Sequence, residues 1–157
     1  MSPGHGEGRV GGAVVGGLAA GVMLSAVMLL GEKLSGKPSE LIELERSTAA
    51  KLGLSPPRDY TPATAIEQLV THGGHLALSA LAGLAYAATV DEDKDGPVAG
   101  AAFGAAFFVA AYEVTGPSFG VTPVPWRQPP LRAVQHPIVH VLFGLAMAFS
   151  ARRARSG

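Results

Sequence analysis

The sequence predicts an all-α integral membrane fold: a four-helix bundle in one domain over residues 1–157, with a short amphipathic interfacial helix between helices 1 and 2. Three observations carry this reading. Only 15% of residues are charged, against about 25% in ordinary soluble domains. Those charges leave four long gaps, at residues 10–31, 68–90, 96–112 and 133–151. At 1.5 Å per helical residue the gaps span roughly 25–35 Å, bracketing the hydrocarbon core of a bilayer. Small residues also recur every fourth position, which in lipid lets helix backbones approach closely. A soluble bundle would carry charge on its outward face at every turn.

The first span, about residues 10–31, carries Gly12 with Gly16 and Gly17 with Gly21. It is too long for a signal-peptide core and lacks a cleavage site before Glu32, so it is expected to stay in the mature protein. An amphipathic helix over about 40–52 follows. Ser39 is its expected cap, Leu41, Leu44, Thr48 and Leu52 recur on one side, and Gly53 is a stop signal. It is read as lying on the membrane surface, lidding the bundle, or connecting the spans in solvent. The second span, about 65–90, has start signals in Thr61-Pro62 and in the capping-box spacing of Thr64 and Glu67. Ser79, Gly83 and Ala87 form its small face.

Asp91 to Asp95 make a tight acidic turn. Its alternating aspartates have calcium-loop spacing, but Ala102 occupies the position of the required glutamate. The third span, about 96–114, carries Gly100 and Gly104. Gly116 to Pro130 form a stiff proline-rich loop in which Trp126 suits the interfacial belt and could cover the polar layer described next. The last span, about 132–151, contains Pro137, which frees the Ala133 carbonyl and is expected to kink the helix.

Charge and composition exclude whole classes. Twelve basic residues against twelve acidic ones give zero net charge, unlike a nucleic-acid binder, which needs a basic excess to neutralise phosphates. The absence of cysteine removes disulfides, thiolate metal sites and thiol catalysis. With four spans both termini share a side with the acidic turn. The dense cluster Arg152, Arg153 and Arg155 at the last span end favours termini inside.

Four of the five histidines fall within spans. His72 and His75 are spaced i,i+3 on the second, His136 and His140 i,i+4 on the fourth, so each pair shares a helix face. The second and fourth spans run parallel, which places His75 and His140 at similar depth. The third span ends on that side with Tyr112 and Glu113, while Ser79 and Tyr86 continue the polar stripe down the second. Intramembrane ionisable groups are costly and face an interior or cavity. This layer could fix helix register or relay protons. It could also ligate haem b through His75 and His140, or hold a transition metal ion with Glu113. No nucleophile with a base and an orienting acid is legible, so the expectation is a non-enzymatic membrane protein, with a redox subunit as the alternative.

The arrangement resembles the YagU-like bacterial inner-membrane proteins, whose biochemical activity is unassigned. The resemblance is carried by the small-residue first span and by His75, Ser79 and Tyr86. It continues through Pro117, Gly120-Val121-Thr122-Pro123 and Pro125-Trp126, and ends with His140 and Arg152-Arg153. It runs over most of residues 10–153. His136 stands where that family has an acidic residue, and Tyr112 where it has a histidine. The resemblance implies an inner-membrane location with the arginine-rich end in the cytoplasm, and a link to acid tolerance. A homo-oligomer or larger membrane complex is the expected assembly.

Overall fold

A computed structural model describes residues 3–54, 61–118, 120, 122, 125–128 and 130–156. Every regular element among them is helical. Helix α1 runs Pro3–Ser35, α2 Glu40–Lys51, α3 Ala65–Thr89, α4 Pro97–Phe108 and α5 Pro130–Ser156. Single 3₁₀ turns lie at Glu92–Lys94 and Pro125–Arg127. Beyond Phe108, α4 widens into a π-helix over Val109–Thr115 and ends in one α-turn, Gly116–Ser118.

The local chemistry behind these boundaries is legible. Ser39 caps α2 by accepting from the Ile42 amide. Thr64 and Glu67 form a reciprocal capping box at the start of α3. Gly36 and Gly53 bracket α2 with φ of 68° and 70°. Left-handed backbone of that kind suits glycine and lets the chain turn sharply on either side of α2.

Helix α1 packs against α3 and α5, α5 packs against α1 and α4, and α3 barely meets α5. The small faces do this work. A Cβ at Gly12 or Gly16 would stand 2.5 or 2.6 Å from a carbonyl of α5, and one at Gly83 would stand 2.7 Å from the backbone of α1. Gly100 and Gly104 of α4 lie likewise on the backbone of α5 around Gly144 and His140. The centre is dry: Ala13, Ala82, Tyr86, Met147, Ala148 and Ala151 are buried together, with Phe103, Phe107 and Phe143 packed against them. Tyr86 meets Phe103 edge to face at 5.3 Å and so joins α3 to α4.

Three helical stretches are long and apolar enough to cross a bilayer: Gly6–Ser35, Pro97–Ser118 and Ala133–Ser156. The expected second span, α3, is not among them. It is 25 residues long, but His72, His75 and the neighbouring glycines interrupt the apolar run that transfer free energy rewards. Helix α1 also begins well before residue 10 and α5 extends past residue 151, so the arginines at both ends stand on helical turns. Pro137 does not break α5, whose helical backbone continues from Pro130 to Ser156.

Candidate functional site

The helices alternate in direction, which creates two polar ends. One holds the start of α1, the acidic turn and the end of α5. The other holds the end of α1, α2, the start of α3, the π-helix and the start of α5.

At the first end Arg9 is fully engaged. Its Nε donates to Asp95 Oδ2 at 2.7 Å and its Nη2 to Asp95 Oδ1 at 3.1 Å, while Nη1 and Nη2 reach the carbonyls of Ala87 and Val90. The Arg9 and Asp95 side chains are 7% and 0% exposed. The Tyr86 hydroxyl donates to Asp95 Oδ1 at 3.0 Å, and Arg155 comes within 4.0 Å of Asp95 while donating to the Glu92 carbonyl. This clamp ties α1, α3, the turn and α5 together. The sequence reading missed it. Its sequence signal was an acidic turn on the same side as the basic residues Arg9 and Arg155 at two helix ends, which does not single out Asp95. The expectation for Tyr86 is corrected here: its hydroxyl points to Asp95 at this end, and Ala82 and Gly83, packed on α1, separate it from the histidines.

At the second end α2 lies across the helix tips as a lid, with Ile42 fully buried beneath it. Arg46 fixes one side through Glu67 at 2.9 Å and the carbonyls of Thr61 and Pro62. The hydrogen-bonded Glu67 carboxylate raises the Arg46 pKa above the ordinary value, so Arg46 stays charged. Glu40 fixes the other side. One of its oxygens accepts from the Tyr112 hydroxyl at 3.0 Å, and the other lies 3.0 Å from His136 Nε2. The Tyr112 and His136 rings pack at 4.4 Å.

The histidines beneath the lid have different partners. His75 shares a 3.1 Å hydrogen bond with Ser25 of α1, and Ser79 donates back to the His75 carbonyl. His140 Nδ1 donates to the His136 carbonyl at 2.9 Å, and its ring lies against Phe107 and Phe108. His75 is within electrostatic reach of both His72 and His140, and His72 of Glu32. His72 is buried with neither ring nitrogen hydrogen-bonded; Thr71 Oγ1 and Gln68 Oε1 on the same face are also unpartnered.

Two further expectations are corrected. Glu113 meets Gln128, which donates to it at 3.2 Å, whereas the carboxylate that meets a histidine side chain is Glu40 of α2. Charge gaps do not find Glu40, which lies on the amphipathic helix outside them and reaches His136 only through the way α2 folds back. Trp126 is 81% exposed, so it does not cover the layer; α2 occupies that place. Phe119, Val121, Pro123 and Val124 of the proline-rich motif lie outside the described residues.

Among the described residues no group of three or more His, Cys, Asp or Glu side chains is placed to hold a metal ion. No family model matches the chain. No curated protein and no solved structure matches it either.

Proposed function

We propose that this chain is a four-span membrane protein whose lid end is a proton-binding layer open to one side of the bilayer. Both termini are assigned to the cytoplasm of a bacterial inner membrane, the YagU-like family is its proposed kin, and the working assembly is a homo-oligomer or larger membrane complex. In this reading α3 is the fourth span despite its lower hydropathy, because intramembrane histidines face the interior of a bundle.

One observation carries the proposal. Among the described residues, the buried side-chain atoms without a hydrogen-bond partner belong to Gln68, Thr71, His72, Glu113, Gln128 and His136, all at the lid end. Buried unsatisfied groups cost about 1–3 kcal/mol each, so their concentration beside titratable partners marks the end that changes protonation. The dry centre of Ala82, Tyr86 and Met147 argues for binding protons from one face rather than conducting them through.

The test uses the cysteine-free background. The Glu40–His136 contact is an ion pair only while the imidazole is protonated. Maleimide labelling of Ile42→Cys, taken at each pH as a ratio to an exposed reference cysteine so that the loss of thiolate cancels, is therefore expected to slow as the pH is lowered. The added change Glu40→Gln abolishes that dependence of the ratio. A ratio that does not change with pH in the protein with Glu40 intact would overturn the reading.

A haem or metal ion between α3 and α5 is the competing reading. What favours it is that Nδ1 of His75 and of His140 is already hydrogen-bonded, leaving each Nε2 for a ligand. Absorbance and elemental analysis of detergent-purified protein separate the two. A Soret band lost in His75→Ala or His140→Ala supports haem, and a colourless, metal-free preparation removes that reading.

A further inference from the structure

A cavity of about 270 Å³ opens between the end of α1 and the start of α3, lined by Leu29, Glu32, Lys33, Lys37, Pro38 and Gln68 among others. Its charges are unequal in availability. Glu32 is committed: Oε1 accepts from the Ser39 amide at 2.9 Å and Oε2 from the Gln68 amide group. Lys33 and Lys37 are exposed, and among the described residues neither has a carboxylate partner. The cavity is therefore lined by two exposed lysines without a carboxylate partner among the described residues and by one carboxylate that accepts two hydrogen bonds. Its surroundings are apolar and outward-facing, with Leu34 79%, Ile66 74% and Leu69 75% exposed. Pro38 and Pro62 stiffen the walls, and the left-handed Gly36 folds the chain back over the opening.

We infer that this cavity binds the headgroup of an anionic phospholipid, its phosphodiester between Lys33 and Lys37 and its acyl chains along Leu34, Ile66 and Leu69. The inference rests on the four-span reading, which puts the end of the α1 apolar stretch at the bilayer boundary. Basic side chains between spans attract anionic headgroups by the same Coulomb term on either face, and one near an anionic surface adds about fivefold to affinity. A zwitterionic headgroup would add its own ammonium beside two others, with only the single negative charge of Glu32 to offset them.

The experiment reconstitutes the full chain in bilayer discs of equal phosphatidylglycerol and phosphatidylcholine, then counts lipids retained after extraction by native mass spectrometry. Phosphatidylglycerol is expected to be enriched at least about fivefold. The enrichment is lost in Lys33→Gln/Lys37→Gln. It is lost equally in Leu29→Trp, which fills the cavity without changing charge, and kept in Arg152→Gln/Arg153→Gln at the far end. Retention in the first two variants, or loss in the arginine variant, overturns the site. So does displacement by inorganic phosphate, which would make it a free-anion site. Insertion without enrichment overturns the site alone. Failure to insert overturns the four-span reading and the site with it.

Discussion

The two ends of the helices handle buried polarity in opposite ways. At the clamp end Arg9 and Asp95 are almost wholly buried and every donor on Arg9 that points inward finds an acceptor, so low dielectric strengthens a completed set. At the lid end His72 is as deeply placed as Arg9, at 9% against 6% exposed, yet neither of its nitrogens is satisfied. A buried charge needs fixed partners, whereas an uncharged polar group without one is buried at a smaller penalty. The first arrangement suits holding helices in place. The second leaves ring nitrogens open to a partner.

The comparison is most easily broken at Arg9. Arg9→Met leaves the Asp95 carboxylate buried without its bidentate partner and should cost about 3–5 kcal/mol, read as a lowered midpoint in denaturant-induced unfolding in detergent. A cost near zero would mean that Arg155, 4.0 Å from Asp95, already supplies the countercharge. Gly104→Val comes next, because its Cβ would meet the His140 carbonyl and the backbone of α5. Overpacking there should cost about 1–3 kcal/mol, while Gly73→Val, which meets nothing within 4 Å, should be close to neutral in the same assay.

The different legibility of the two ends has a physical basis. Helices, caps and the small faces follow from neighbours in sequence, so Ser39, Thr64 with Glu67, Gly53 and the glycine rows could be read directly. The histidine pairs could be placed on their helix faces for the same reason. Glu40 and Asp95 could not, because each acts through contacts 96 or 86 residues away, and nothing local separates Asp95 from Asp93 or Glu40 from Glu43. The sign of α3 was also hidden: its histidines weaken it as a span by the same polarity that makes it the candidate for chemistry.

His72→Leu sharpens the contrast by reversing its sign. Removing an unsatisfied buried polar group for an apolar one relieves its desolvation penalty, so stability should rise by up to about 1–3 kcal/mol, while the labelling behaviour at position 42, which rests on Glu40 and His136, is kept. A destabilised His72→Leu protein would show that the imidazole is satisfied by water and is part of a rigid network like the clamp.

A single hydroxyl also distinguishes the two ends. Tyr86 and Tyr112 each donate to a carboxylate at 3.0 Å. Tyr86 is fully buried and its acceptor Asp95 is held in the clamp, so Tyr86→Phe forfeits a charge-assisted bond worth about 1.5–3 kcal/mol. Tyr112 is half-buried and its acceptor Glu40 also serves His136 from a lid that water reaches, so Tyr112→Phe should cost about 1 kcal/mol or less. What Tyr112→Phe does change is the lid: it removes the tyrosine tether on Glu40 and leaves the contact with His136. Labelling at position 42 should then depend more steeply on pH than in the parent protein, while Tyr86→Phe leaves that dependence as it was.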